Sequence, residues 1–198
     1  MNATNNDARN YWNLRWQNAQ TGWDMGQASP PLTAYVQQYK NKNAKVLIPG
    51  CGSAYEAQFM AQRGFTDITL LDIAPAAVDK LRTDFRNISA VNLVCEDFFE
   101  HKGRYDLILE QTFFCAIPVS RRAEYAQKAA SLLGTRGRLS GLLFNRDFGQ
   151  PHPPFGGSLQ EYRRWFEPYF EIKTMEECYN SIAPRAGSEL FIELIKKG

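Results

Sequence analysis

The chain of 198 residues has few of the residue clusters that mark a metal site or a disulfide framework. Its 4 cysteines, Cys51, Cys95, Cys115 and Cys178, lie far apart and form no Cys-x-x-Cys pair. Their spacing therefore encodes neither a zinc site nor a disulfide scaffold. We expect them to be reduced thiols, at least two of them in buried strands.

Long apolar runs and massed charge are missing as well. No run approaches the ~20 apolar residues that span a bilayer, and the polar segment Met1–Asp7 contains no apolar signal region. The formal net charge is only +2, and basic pairs such as Arg121-Arg122 are scattered along the chain, which disfavours nucleic acid as a partner. We expect a cytoplasmic protein that acts on a small molecule, with no membrane, nucleic acid or obligate protein partner.

The sequence does contain short β-rich runs that alternate with helical stretches, a pattern typical of an α/β fold with helices on both faces of a parallel sheet. A hydrophobic content of 44% over this length predicts one domain over residues 1–198. The predicted strands are Lys45–Pro49, Asp67–Leu71, Val91–Val94, Tyr105–Glu110 and Arg138–Phe144. The predicted helices lie around Tyr55–Arg63, Ala76–Phe85 and Arg121–Leu133, the last closed by Gly134.

The C-terminal part differs, because two consecutive strands, Glu171–Tyr179 and Leu190–Ile195, are joined only by a short, turn-rich segment. Strands connected in this way must be antiparallel. A mostly parallel sheet with a C-terminal antiparallel hairpin is typical of the Rossmann-like, seven-stranded class I methyltransferase sheet. The irregular segment Asn145–Ser158 is too long for an ordinary connection, and we interpret it as a loop that covers a site.

The most informative local pattern is an apolar strand that runs into Gly50-Cys51-Gly52 and then into a helical segment. Two glycines in such a turn let the backbone bend sharply and approach a ligand, while free N–H groups of the next helix face an anionic group. Asp72 follows the second strand 20 residues after Gly52, where a carboxylate accepts hydrogen bonds from ribose hydroxyls. This pattern predicts an adenosine-containing cofactor, either NAD or S-adenosylmethionine.

A second acid favours the methyl donor. Asp97 ends the third predicted strand, where it or the neighbouring backbone can bind an adenine amino group while Phe98 packs on the ring. The third glycine of a dinucleotide fingerprint is missing, since Ala54 and Tyr55 stand there. For each acid taken alone, a solvated cap is the alternative interpretation.

The N-terminal segment is rich in tryptophan, with Trp12, Trp16 and Trp23 among the first 23 residues. Trp12 and Trp16 are one helical turn apart and share a face. One interpretation is an amphipathic helix docked on the core. We favour an N-terminal helical lid over residues 1–43, ahead of an α/β core over 44–198, because aromatic faces attract a sulfonium by ~0.5–2 kcal/mol and exclude water.

These segments together resemble the thiopurine S-methyltransferase superfamily, most of all its halide/thiol methyltransferase branch. The resemblance covers nearly the whole chain, and implies S-adenosyl-L-methionine as cofactor, S-adenosyl-L-homocysteine as product and no metal. The implied cofactor residues are Trp12, Trp16, Trp23, Gly50, Asp72, Asp97, Phe98 and Gln111. Gln111 departs from the pattern, because the thiopurine enzymes tend to carry an arginine there and the plant enzymes a tyrosine. The matching segments are Tyr11–Trp16, Thr21–Asp24, Val46–Gly52, Leu71–Ile73, Tyr105–Ile108, Gln111–Pro118 and Pro153–Gly157.

The predicted activity is methyl transfer to a small soft nucleophile: a thiol, bisulfide, thiocyanate or halide. Such an acceptor arrives as an anion and needs no general base, which agrees with the placement of both histidines: His101 is expected in a surface turn, and His152 in a solvent-exposed loop. The predicted substrate residues are Phe113, Phe114, Phe155, Tyr179 and Arg185, the last with an exposed hairpin arginine as the alternative.

Three alternatives stay open at this stage. The same fold could methylate tellurite, selenium or thiopurine compounds, or the chain could bind an adenine cofactor without catalysis, or it could be an NAD-dependent oxidoreductase. A magnesium-dependent enzyme is disfavoured, because the segment after the fourth strand offers no carboxylate beyond Glu110.

Overall fold

The structure is a computed structural model that describes residues 3–198, without the side chains of residues 3–6. Met1 and Asn2, the start of the predicted lid, lie outside the described residues. The elements are α1 (Ala3–Gln17), α2 (Pro30–Gln38), β1 (Lys45–Pro49), α3 (Tyr55–Gln62), β2 (Asp67–Asp72), α4 (Pro75–Asp84), β3 (Val91–Cys95), β4 (Tyr105–Gln111), α5 (Arg122–Leu132), β5 (Leu133–Phe144), α6 (Leu159–Phe166), β6 (Phe170–Glu177) and β7 (Glu189–Lys196).

The strands form one 7-stranded sheet in the order β3-β2-β1-β4-β5-β7-β6. All pairs from β3 to β5 are parallel, and β7 pairs antiparallel with both β5 and β6. The predicted fold class is therefore confirmed. The sequence did not indicate that β7 lies between β5 and β6.

The predicted elements differ from the structure mainly around Gly134. This glycine was expected to close a helix, but α5 ends at Leu132 and Gly134 already lies in β5. Two helices were not predicted with bounds of their own: α2, which falls inside the predicted helical lid over residues 1–43, and α6, for which no helix was predicted. The second of them has a clear local cause, because Ser158 and Glu161 form a reciprocal capping box at its start.

Alternation along the strands divides the core into two layers. Val46 and Ile48 of β1 face the layer formed with α2, α3 and α4, whereas Leu47 between them faces the layer formed with α5 and α6. The helices thus cover both faces, and the loops that follow the parallel strands gather at one edge of the sheet.

The cysteines are free thiols, as expected. The buried ones are Cys115, in a short 3₁₀ turn after β4, and Cys178, after β6, whereas the half-buried Cys95 ends β3. The prediction that at least two cysteines lie in buried strands was therefore wrong. Within residues 3–198, no helix combines the length and the apolar character that a membrane span requires.

Candidate functional site

A cavity of about 440 Å³ opens at the carboxyl edge of the parallel strands. Its wall combines residues that follow β1, β2, β3, β4 and β5 with residues of α1 and of the segment after it. Ligand sites of open α/β sheets lie at this edge, because the loops after neighbouring strands converge there. The cavity therefore collects most of the residues that the sequence singled out.

Asp72 ends β2 inside this wall with only 7% of its surface exposed. Its carboxylate accepts hydrogen bonds from the backbone N–H of Gly52 at 3.2 Å and of Ala74 at 2.9 Å. Burial raises the pKa of Asp72 above its usual value, and these backbone bonds act in the opposite direction. The side chain thus ties the glycine turn to the end of β2 and retains lone pairs for a ligand.

The two glycines of the turn are required by the backbone conformation, and the first also by packing. At Gly50, with φ of +55°, a Cβ atom would stand 2.3 Å from the Phe113 ring, so any side chain there would displace that ring. At Gly52, φ is +52° and the nearest atom is 3.5 Å away, in the indole of Trp16. Both glycines therefore adopt a left-handed backbone that side chains rarely adopt, and Gly50 in addition leaves room for the Phe113 ring.

The loop after β4 is held by a buried carboxylate. Glu110 is fully buried and accepts bonds of 2.8 Å from the N–H of Phe113, from the N–H of Phe114 and from the hydroxyl of Tyr125. Burial raises the pKa of Glu110 to about 7. Thr112, with φ of +58°, sits in the strained backbone that this carboxylate stabilises. Glu110 thereby fixes the position at which Phe113 enters the cavity wall.

Asp97 and Phe98, after β3, also line the cavity. One oxygen of Asp97 accepts the N–H of Phe99 at 2.8 Å, which leaves the second oxygen for a ligand. Phe98 is only 3% exposed and stacks on Tyr125 with ring centroids 5.2 Å apart. Most of this ring thus belongs to the core, and only its margin reaches the cavity.

The three N-terminal tryptophans form one cluster at the cavity. Trp23 makes edge-on contacts with Trp12 and Trp16, with centroid separations of 5.4 and 6.0 Å, and all of them line the cavity. The Arg15 guanidinium lies 5.3 Å over the Trp23 ring. The segment that carries them is anchored by Asp24, which accepts the Ser53 hydroxyl at 2.5 Å.

Gln111 is the one predicted cofactor residue that is not in the cavity lining. Its amide nitrogen points to the sulfur of Met25 at 3.9 Å, and its buried Oε1 has no hydrogen-bond partner among the described residues. A buried hydrogen-bond acceptor without a partner destabilises the folded state. Gln111 therefore ends β4 with a buried acceptor outside the cavity lining.

The predicted substrate residues are divided by the structure. Phe113 and Arg185 line the cavity. Phe114 is 1% exposed in the core, and Phe155 and the 93% exposed Tyr179 are not among the lining residues. The structure thus brings two of the five predicted substrate residues to the cavity and places the other three outside its lining, because spacing along a loop does not indicate the direction in which a side chain points.

Several cavity residues were not predicted from the sequence, although some of them could have been. Phe144 ends β5, and Arg146 and Phe148 follow it in the irregular segment. The rule that located Asp72 and Asp97 at strand ends applies equally to β5. Cys115 was missed as a wall residue, and burial raises its pKa to about 12, so it stays a neutral thiol. Pro153 and Pro154 of the loop Asn145–Ser158 also reach the wall.

The histidines lie away from the cavity wall. His152 is exposed, as expected. The expectation for His101 was wrong: it is 5% exposed and bonds to Glu96 and, at 2.7 Å, to the Tyr105 hydroxyl. Residues 3–198 contain no group of 3 or more His, Cys, Asp or Glu side chains arranged to hold a metal ion.

Comparison with known proteins gives consistent matches over most of the chain. A model of the thiopurine S-methyltransferase family matches residues 7–193. A probable thiol methyltransferase 2 of Arabidopsis thaliana is 32% identical over 184 residues, covering 90% of this chain and 81% of that protein. Thiocyanate methyltransferase 1 of Brassica oleracea is 29% identical over the same coverage of 90% and 81%.

Among solved structures, similarity extends to the fold. A Burkholderia thailandensis 1,6-didemethyltoxoflavin-N1-methyltransferase with bound S-adenosylhomocysteine has a TM-score of 0.76 at 19% identity, covering 96% of this chain and 87% of that one. A Synechocystis magnesium protoporphyrin IX methyltransferase with bound S-adenosylmethionine has a TM-score of 0.74 at 17% identity, and each chain is covered to 100%.

Proposed function

The chain belongs to the thiopurine S-methyltransferase family and is an S-adenosylmethionine-dependent methyltransferase, and on this basis we propose that it methylates a small soft nucleophile. The acceptors proposed are a thiol, bisulfide, thiocyanate or halide. Two of its relatives are named as thiol and thiocyanate methyltransferases, which supports this choice.

For the cofactor, we propose that the adenosine part lies between the ends of β2 and β3. Asp72 accepts hydrogen bonds from the ribose hydroxyls, and the free oxygen of Asp97 accepts one from the adenine amino group. Gln111 lies outside the cavity lining, and in this proposal its Oε1, which has no partner among the described residues, turns towards the cavity to accept a bond from the ammonium group. The charge-assisted members of such a set contribute ~1.5–3 kcal/mol each.

The tryptophan cluster is proposed to close the cavity over the sulfonium. Indole faces attract a cation and occupy the space that water would fill. S-adenosylmethionine brings a methyl group that is already activated, so the chain's own work is to hold the acceptor in line and to keep water out. Trp12, Trp16 and Trp23 perform the second task in this proposal.

The observation that carries the acceptor class is the chemistry of the cavity wall beyond β4 and β5. It is largely apolar and aromatic, through Phe113, Ile117, Phe144 and Phe148. It also includes Arg121, which is paired with Glu124, and the exposed Arg146, whose guanidinium lies 4.8 Å over the Phe148 ring. An apolar wall with a cation at its margin suits a weakly hydrated anion. A strongly hydrated anion would lose more solvation free energy on entry.

A soft anion also needs no proton transfer from the protein. Neither histidine lies in the cavity wall, and Cys115 stays neutral because burial raises its pKa to about 12. The carboxylates of the wall are assigned other partners, Asp72 and Asp97 the cofactor and Glu96 the ring of His101. The proposal therefore includes no general base.

The experiment is headspace mass spectrometry of the purified chain with S-adenosylmethionine and, separately, iodide, bisulfide, thiocyanate, an aryl thiol and tellurite. We expect methylated products from the first four acceptors, and much less of each from an Asp72→Ala variant assayed at the same cofactor concentration. Product from tellurite alone would favour methylation of tellurium and selenium compounds, and a lack of any product despite S-adenosylhomocysteine binding would favour a binding protein without catalysis.

A further inference from the structure

Arg185 connects the last loop of the chain to the tryptophan segment. Its Nη2 donates to the carbonyl oxygen of Trp23 at 3.0 Å, across 162 positions of sequence. Its Nη1 donates to Glu189 at 3.3 Å, and its guanidinium lies 5.4 Å over the Phe144 ring. The side chain is only 12% exposed.

The charge of Arg185 is thus already compensated. Glu189 starts β7 with its side chain 4% exposed, and its second oxygen accepts the Ser181 hydroxyl at 2.7 Å. A buried carboxylate with these partners stabilises the guanidinium in one orientation and opposes its use by an incoming anion.

The backbone around Arg185 is fixed as well. It lies in the 3₁₀ turn Ala183–Arg185, and its carbonyl accepts both the N–H of Ser188 at 3.0 Å and its hydroxyl at 2.7 Å. The donor to Trp23 is therefore held by a hydrogen-bonded turn, whereas Trp23 belongs to the irregular segment between α1 and α2.

Trp23 is the centre of the aromatic cluster, in contact with both Trp12 and Trp16. A bond to its backbone oxygen consequently acts on the entire tryptophan wall. We propose that Arg185 is a positioning residue, a latch that holds the tryptophan segment closed over the cofactor. This inference rests on the proposed role of that segment in covering S-adenosylmethionine.

The latch makes a kinetic prediction that differs from direct binding of an anionic acceptor. The measured quantity is the dissociation rate of S-adenosylhomocysteine, followed by stopped-flow tryptophan fluorescence, together with acrylamide quenching of the bound complex. With Arg185→Ala we expect a rise in this rate of about tenfold or more, equivalent to ~1.4 kcal/mol or more, and stronger quenching. Arg163→Ala, which removes an exposed arginine paired with Glu167 on α6, should change neither.

Glu189→Gln removes the counter-charge of Arg185 and keeps the size of the side chain. It therefore distinguishes a latch role of Arg185 from direct binding of the acceptor. Under the latch it loosens Arg185, so S-adenosylhomocysteine dissociates faster and kcat/KM for thiocyanate does not rise. If Arg185 instead binds the acceptor, loss of its counter-charge should raise kcat/KM for thiocyanate, and this result would overturn the latch.

Two further outcomes would each overturn at least one of the proposals. Equal dissociation rates in Arg185→Ala and the unmodified protein would overturn the latch alone. Failure of the unmodified protein to bind S-adenosylhomocysteine would overturn the proposed function, and the latch with it.

Discussion

At the scale of single residues, Asp72 combines a structural and a proposed binding role. It accepts the N–H groups of Gly52 and Ala74 and faces the cavity. We predict that Asp72→Ala weakens S-adenosylhomocysteine binding by ~1.5–3 kcal/mol for each ligand hydrogen bond lost. Calorimetry measures this, with Asp84→Ala, an exposed acid of α4 paired with Lys80, as the control. Unchanged affinity in a folded Asp72 variant would refute the ribose assignment.

Glu110 gives a prediction about stability and pH. Its pKa is about 7 in the folded protein and 4.5 for an ordinary glutamate, so the folded state binds its proton more tightly than the unfolded state. The stabilisation from this proton is complete below pH 4.5 and is lost as pH rises to about 7, by roughly 3 kcal/mol in total. Glu110→Gln removes this loss, so urea unfolding at pH 5 and pH 8 should show the variant gaining on the unmodified protein as pH rises.

Glu124→Gln is the matched control for that experiment. Glu124 lies on α5 and is half exposed, and the hydrogen bond from Arg121 lowers its pKa. Its contribution to stability is therefore present at neutral pH and is lost as pH falls, the opposite sign from Glu110. The same trend in both variants would mean that Glu110 is not the titrating group.

Part of the residue-level site could be predicted from the sequence. Asp72 and Asp97 were found because strand ends converge at one edge of a parallel sheet. Phe113 and Phe114 could not be separated, because their difference depends on Glu110 accepting both of their N–H groups and turning one ring towards Gly50 and the other into the core. Such a long-range arrangement leaves no periodic pattern in the sequence.

At the scale of elements, local features were likewise predictable from the sequence, whereas long-range pairings were not. Strand β1 was predicted at its exact bounds, because its apolar run ends at the glycine turn. The position of β7 between β5 and β6 depends on pairing with β5, over residues 138–144 and 189–195, and adjacency along the chain indicates only that β7 pairs with β6. The helical lid was predicted from tryptophan spacing, but its anchors, Asp24 on Ser53 and Arg185 on Trp23, are tertiary.

The N-terminal segment should be separable from the core. The buried members of both core clusters begin at Leu32, and α1 meets α4 through a 2.8 Å bond from the Ala76 N–H to Asn13. We predict that deletion of residues 1–24 leaves a folded protein by circular dichroism and thermal melting, but abolishes methyl transfer because water reaches the cofactor. If the shortened chain fails to fold, the tryptophans are chiefly structural.

At the scale of the whole molecule, the charges and the burial of titratable groups determine how the reaction responds to pH. His101 is buried between Glu96 and Tyr105, and His152 is exposed outside the cavity wall. Cys115 in the wall stays neutral throughout the physiological range. In the proposed mechanism no protein group acts as a general base towards the acceptor, so the acceptor's own ionisation should control the rate.

Comparing two acceptors distinguishes titration of the enzyme from titration of its substrate. Iodide is ionised at every accessible pH, so its kcat/KM should be nearly flat between about pH 6 and 9, whereas kcat/KM for an aryl thiol should rise with the ionisation of the thiol. His101→Ala and His152→Ala should each keep most of the turnover. The aryl thiol and iodide are expected to use the same cavity and cofactor. The ratio of their kcat/KM values at each pH therefore reports the ionisation of the acceptor alone. A steep rise for iodide, or a loss of orders of magnitude in either histidine variant, would require a protein group that titrates in the transition state and would refute the base-free mechanism.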